Sequence, residues 1–191
     1  MVATVGVLAL QGGFARHQAM LEDLGCRSVA VRYPDDLQRL DGLIIPGGES
    51  TTISRHLDSG GLREPVAAFA GEKPVMGTCA GLIIMSREPA SEQVHSLGLL
   101  DLTVERNGWG RQVHSFTVTL PVLLNGHSEK LPAVFIRAPR IGSLGPDVEV
   151  LATIEGEPVL VRQGRHLGAT FHPELGSDTR IHKLFMQAIQ S

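Results

Sequence analysis

The residues with the most chemistry in them sit at Gly77-Thr78-Cys79-Ala80-Gly81, where a cysteine is set among small residues. A short apolar run ending in Val75-Met76 precedes it, and Leu82-Ile83-Ile84-Met85 follows. This is the pattern of a nucleophile elbow. A side chain projected from a sharp strand-to-helix turn needs small neighbours, because the backbone is strained and adjoining elements come close. The start of a helix points unpaired N–H groups at the sulfur and favours thiolate, the attacking species. Cys79 is therefore a candidate nucleophile. The N–H of Ala80 is the natural first donor to the oxyanion formed when a carbonyl is attacked. Taken alone, the glycines could equally serve to pack around a buried thiol, so the partners decide.

The partner motif is Thr170-Phe171-His172-Pro173-Glu174-Leu175. Pro173 biases His172 toward an extended conformation, and in an extended segment positions i and i+2 face the same way. Glu174 can then hold the imidazole in one tautomer and stabilise its cation while the other ring nitrogen meets the thiol. Of the other seven histidines, His17 and His56 fall on helical patterns. His95, His127, His166 and His182 have polar neighbours that suit surface positions, and His114 lies in an expected strand. None has a carboxylate two residues away within one of the strands expected below. No H-E-x-x-H or dense Cys/His cluster occurs, so no metal site is expected.

These residues need a scaffold that brings them together. Val2 to Leu10 is apolar and ends at Gln11-Gly12-Gly13. Phe14, His17, Met20, Leu21 and Leu24 then recur at helical spacing until Gly25. Ser28 to Val31 is a second apolar run. Asp41-Gly42-Leu43-Ile44-Ile45, stopped by Pro46-Gly47-Gly48, is a third. Ser50 or Thr51 can cap a helix to about Asp58, and Leu62 to Ala70 carries another. Runs that are apolar throughout suit strands covered on both faces, and alternation with helices argues for a mostly parallel central sheet flanked by helices on both faces. The second half differs. Leu99 to Glu105, Val113 to Leu120, Ala133 to Ala138, Val148 to Ile154 and Pro158 to Arg162 read as additional, partly antiparallel strands. A last helix is expected from about Asp178 to Ala188, with Ile181, Leu184, Phe185 and Ile189 on one side.

Size and composition bound the reading. The 191 residues suit one domain spanning 1–191, with 42% hydrophobic and 19% charged residues, an α/β protein by pattern. A formal charge of −3 offers no field for a polyanion, so nucleic acid is not an expected partner. No apolar run approaches the roughly 20 residues that cross a bilayer, and the N-terminus lacks the charged stretch of a signal peptide. A cytoplasmic location follows as the expectation. Two cysteines, Cys26 and Cys79, are too few for a disulfide framework. Cys26, at a strand start, reads as a small buried hydrophobe.

The motifs also carry a family likeness. Leu8-Ala9-Leu10-Gln11-Gly12, Pro46-Gly47-Gly48-Glu49-Ser50-Thr51-Thr52, the Cys79 elbow, Val104-Glu105-Arg106-Asn107, Gly110-Arg111-Gln112, Phe135-Ile136-Arg137-Ala138-Pro139 and Phe171-His172-Pro173-Glu174-Leu175 run collinearly along the chain. Together they resemble the glutaminase subunits of pyridoxal 5'-phosphate synthase, which are class I glutamine amidotransferases. The resemblance implies that Cys79, His172 and Glu174 form a triad that hydrolyses L-glutamine to glutamate and ammonia through a thioester. It places Gly47, Gly48, Glu49, Arg106, Ile136 and Arg137 in the glutamine site. Arginine suits the α-carboxylate, from Arg106 or Arg137. A backbone N–H at Gly47-Gly48, assigned to Gly48, is the expected second oxyanion donor beside Ala80. The implied partner is a separate synthase subunit that builds pyridoxal 5'-phosphate from the ammonia. That compound is then a pathway product, and no cofactor of this chain is expected. One segment departs from the family: Gly13-Phe14-Ala15-Arg16-His17 lacks the small and acidic residues that usually precede this histidine. A cysteine peptidase acting on γ-glutamyl or peptide substrates, and a non-catalytic scaffold, are the competing readings.

Overall fold

Four short, apolar strands form the parallel heart of the protein: β1 (Thr4–Leu8), β2 (Arg27–Val31), β3 (Gly42–Ile45) and β4 (Val75–Thr78). The computed structural model describes residues 2–88, 91–106 and 115–190. Between these strands lie α1 (Phe14–Asp23), α2 (Ser50–Ser59) and α3 (Arg63–Glu72), and α4 (Ala80–Met85) follows β4. The second half adds β5 (Leu102–Glu105), β6 (Ser115–Leu124), β7 (His127–Ile136), β8 (Arg140–Leu144), β9 (Glu149–Ile154), β10 (Glu157–Gln163) and β11 (His166–Ala169), then α5 (Arg180–Gln190).

Nine strands make one sheet in the order β2-β1-β3-β4-β11-β10-β9-β6-β7, and β5 pairs separately with β8. The five strands from β2 to β11 run parallel, and the remainder are antiparallel. The expected mostly parallel sheet with antiparallel additions is therefore present. Its two faces bury separate cores. One gathers Ile53 and Leu57 of α2, Val66 of α3 and most of α4. The other gathers Leu21 of α1 with Ile181, Leu184 and Phe185 of α5. Fully covered strands have no polar face to expose, which is why β1, β3 and β4 carry almost no polar residues.

Register decides where the chemistry goes. β11 lies beside β4 with Leu167 opposite Met76, Gly168 opposite Gly77 and Ala169 opposite Thr78. The two strands end level, so Cys79 and the Thr170-Phe171-His172 segment leave the sheet together at its carboxyl edge, where open α/β sheets bind ligands. Gly81 allows α4 to press onto the sheet: a β-carbon there would lie 1.9 Å from the carbonyl oxygen of Ile45. On the far side, Phe135 of β7 stacks on Phe116 with ring centroids 4.6 Å apart and meets Phe171 at 5.5 Å. Such pairs contribute about 0.5–1.5 kcal/mol each beyond their burial, and they tie the β6–β7 hairpin to the segment before His172.

Several expectations are corrected. The cap of α2 is Glu49, one residue ahead of Ser50 and Thr51: it is extended, and its carboxylate reaches back to accept from the N–H of Thr52 at 2.8 Å. Cys26 is half-buried, with its sulfur 3.5 Å from Met186 Sδ. β8 and β11 fall outside the expected runs, and β7 begins at His127 rather than Ala133. Val113, expected to open a strand, lies outside the described residues. Among the described residues no helix is long and apolar enough to cross a membrane.

Candidate active site

Cys79 sits between β4 and α4 with φ 50° and ψ −107°. An L-residue in such a conformation costs on the order of 1–3 kcal/mol and persists only where its surroundings over-determine it. They do so here. Its N–H donates to the carbonyl of Ala169 at 2.8 Å, and its own carbonyl accepts from Ile83 N–H at 3.3 Å. The sulfur faces the carbonyl oxygen of Ile136 at 3.8 Å, within a side chain only 7% exposed. Ala80 is the first residue of α4, so its N–H is among those a helix cannot pair internally.

His172 reaches the thiol from the neighbouring strand end. Its N–H donates to Val134 of β7 at 2.8 Å, which ties the ring's backbone to the hairpin. Nδ1 lies 2.7 Å from Glu174 Oε1, so Nδ1–H donates to the carboxylate and Nε2 is left for the sulfur. The link does not use the extended i, i+2 geometry expected for it. His172 is non-helical, but Pro173–Leu175 forms a 3-10 turn that carries Glu174 inward, where it is buried.

The electrostatics suit a protonated imidazole beside the sulfur. Burial pushes the His172 imidazole down, but hydrogen bonds and charge from Cys79 and Glu174 outweigh it and raise the group to about 10. Burial raises the Glu174 carboxyl. The hydrogen bond from His172, with the electrostatic influence of the adjoining His17 and His172 rings, outweighs that and brings it below the usual carboxylate value.

A cavity of about 290 Å³ opens beside the sulfur, lined by Cys79, Ala80, His172, Gly48, Glu49, Arg106, Ile136 and Arg137 together with Gln11, Ser50 and Ile83. Gly47 backs the imidazole: a β-carbon added there would lie 2.4 Å from His172 Cε1 and 3.3 Å from Cys79 Cβ. Gly48, at φ 154°, faces the Gln11 side chain, whose Oε1 accepts from Glu49 N–H at 2.8 Å. At the rim Arg106 Nη2 meets Glu49 Oε1 at 2.9 Å. Burial raises the Glu49 carboxyl, yet hydrogen bonds from Thr51 and Thr52 bring it down to about 2. Glu49 is therefore an anion at any ordinary pH. All ten expected site residues converge here, with Gly47 behind the imidazole and Glu174 beneath it. Asn107, Gly110-Arg111-Gln112 and His114 lie outside the described residues.

A larger hollow of about 660 Å³ lies by Lys73, Arg165 and α5 and holds none of these residues. Among the described residues no His, Cys, Asp and Glu side chains cluster as metal ligands do.

Three contributors were not anticipated. Gln11 lines the cavity. His17 and His182 are fully buried, His17 next to Glu174 and His182 next to His17, although His182 was expected at the surface. The available signal was position: His17 shares the buried face of α1 with Met20 and Leu21, and His182 lies between Ile181 and Leu184 on the buried face of α5.

A strained cysteine at the carboxyl edge of an α/β sheet, with a carboxylate-held histidine beside it, defines a protein of the amidotransferase-like cysteine hydrolase type. The chain belongs to the SNO glutamine amidotransferase family, whose model matches residues 7–191. It is 50% identical over 189 residues to "Pyridoxal 5'-phosphate synthase subunit PdxT" of Deinococcus radiodurans, covering 96% of this chain and 95% of that protein. It is 46% identical to the PdxT of Shouchella clausii, covering 97% and 94%. A solved glutamine amidotransferase superposes with a TM-score of 0.91 at 44% identity over 98% of this chain and 99% of that one. The structure of PurLQS from Thermotoga maritima, at 19% identity and TM-score 0.69, shares the fold.

Proposed function

We propose that this chain is a single glutaminase domain that hydrolyses L-glutamine to L-glutamate and ammonia in the cytoplasm and supplies the ammonia to a separate pyridoxal 5'-phosphate synthase subunit. The observation that carries the reading is the convergence of Cys79, His172 and Glu174 on one cavity whose rim holds both a carboxylate and a guanidinium. Family membership and near-full-length identity to PdxT proteins support it.

Free glutamine carries an ammonium and a carboxylate. Glu49 and Arg106, paired at 2.9 Å, match those two groups, so substrate exchanges one rim ion pair for two. Arg137, beside Ile136 on the same wall, is a second partner for the carboxylate. The Cys79 thiolate then attacks the side-chain amide carbon, forming the C–S bond. The oxyanion is held by the N–H groups of Ala80 and Gly48. His172 gives its proton to the leaving nitrogen, the C–N bond breaks and ammonia departs. Water, deprotonated by the now neutral His172, attacks the thioester, and glutamate leaves as the C–S bond breaks. Glu174 keeps the ring in the tautomer both steps need. In bulk water ammonia would be protonated, so an attached synthase is the useful destination.

The test is glutamate release from glutamine, measured for the chain alone and mixed with the synthase subunit. Wild-type chain in the mixture should release glutamate and Cys79→Ala none. Equal release by both would remove Cys79 from the mechanism.

A further inference from the structure

Behind Glu174 lie polar groups that the chemistry above leaves unused. His17 of α1 and His182 of α5 are both fully buried, where an uncompensated polar ring is costly. His17 Nδ1 lies 2.9 Å from His182 Nε2. His17 Nε2 lies 3.3 Å from Thr78 Oγ1 and 3.3 Å from Glu174 Oε2. A continuous row thus runs from Cys79 through His172, Glu174 and His17 to His182, joining the elbow to helices on the opposite face of the sheet.

One set of proton positions fits this row. Glu174 Oε1 already accepts from His172 Nδ1–H, and an ionised carboxylate has only lone pairs. Oε2 is buried and has no well-aligned hydrogen bond among the described residues. If His17 Nε2 carried a lone pair, two lone pairs would face each other in buried space. With the proton on Nε2, shared between Oε2 and the Thr78 hydroxyl, Nδ1 is free to accept from His182 Nε2–H. The leftover lone pair then falls on His182 Nδ1, the buried ring atom that has no partner among the described residues. Both rings are neutral: burial brings His17 to about 4, and burial together with the neighbouring His17 brings His182 to about 3.

We propose that His17 is a positioning residue for this site: it turns Nε2–H toward Oε2 of Glu174 so that Oε1 faces His172, and His182 holds His17 in that tautomer. The inference rests on the proposed triad. With one donor only, the carboxylate can rotate away from the ring. A second donor on the other oxygen removes that freedom. Groups one step behind a working histidine are worth about 10–100-fold at metal sites, and a loss of that size is expected here.

Glutamate release by the chain with its synthase subunit is measured for wild type, Cys79→Ala, His17→Leu and His17→Gln. His17→Leu fills the space without a donor and should lower kcat about 10–100-fold with KM within about twofold. His17→Gln, whose amide N–H reaches toward the Nε2 position, should recover about tenfold of that loss. If wild type is active and Cys79→Ala dead, a His17→Leu variant as fast as wild type overturns the proposal. So does an equal loss in both His17 variants, or a change in KM alone. If neither wild type nor Cys79→Ala shows activity, it is the triad reading that fails. Nitrogen-15 spectra of the histidines in the full wild-type chain supply a readout independent of turnover and of variant folding. His17 protonated on Nε2 supports the proposal, and His17 protonated on Nδ1 overturns it.

Discussion

Replacing Gly47 by alanine tests whether the imidazole is seated where the chemistry needs it. A β-carbon there falls 2.4 Å from His172 Cε1, 3.0 Å from Nδ1 and 3.3 Å from Cys79 Cβ. Ordinary contacts begin near 3.4 Å, so the ring has to retreat by roughly 1 Å, a displacement that costs on the order of 100-fold in rate. Retreat is constrained, because Nδ1 is bonded to Glu174 and the backbone to Val134. Gly47→Ala is therefore expected to lower kcat about 100-fold. Gly71 in α3 is the control. A β-carbon there meets nothing within 4 Å, so Gly71→Ala should leave kcat unchanged and gain about 0.4–1 kcal/mol of stability. The assay is glutamate release in the presence of the synthase subunit, with thermal unfolding in parallel. A Gly47→Ala protein that melts like wild type and turns over within about threefold of it would refute the idea that this loop seats the ring.

Further outcomes follow from charge and capping. His17 and His182 have folded-state values lowered from 6.5 to about 4 and about 3, so between pH 6.5 and about 4 the unfolded chain binds more protons than the folded one. Stability should decrease as the pH is lowered through that window, by up to about 1.4 kcal/mol per pH unit for each histidine. In denaturant titrations, replacing either ring by a neutral side chain should flatten the fall. Glu49→Ala removes the cap of α2 and should cost about 1 kcal/mol, a drop in melting temperature of roughly 2–4 °C. It should also raise KM for glutamine by removing the partner of its ammonium.

The parallel half of the fold was legible because β1, β3 and β4 are apolar on both faces, and helices between such runs leave few topologies. β8 and β11 escaped because four- and five-residue strands containing glycine and polar side chains leave no periodic trace. The cap of α2 was misplaced by one residue, since Ser50 and Thr51 are commoner caps than a glutamate that folds back on its own helix. The motifs of the proposed triad were legible locally, a cysteine between small residues and a histidine and glutamate on either side of a proline. Its pairing geometry was not, because Pro173 starts a 3-10 turn rather than continuing an extended segment. The His17–His182 row was invisible for a different reason. It is made where α1, α5, β4 and the His172 segment converge: position on an apolar helix face could mark each ring as buried, but no local pattern says that the two rings meet.

The pairing of β11 with β4 has a consequence for how the molecule is made. Synthesis delivers the thiol early and its base late, with half the chain between them, and β11 can add to β4 only after the antiparallel strands have emerged. Until then no imidazole stands beside Cys79, and the proposed triad is incomplete in any chain not yet made through Glu174.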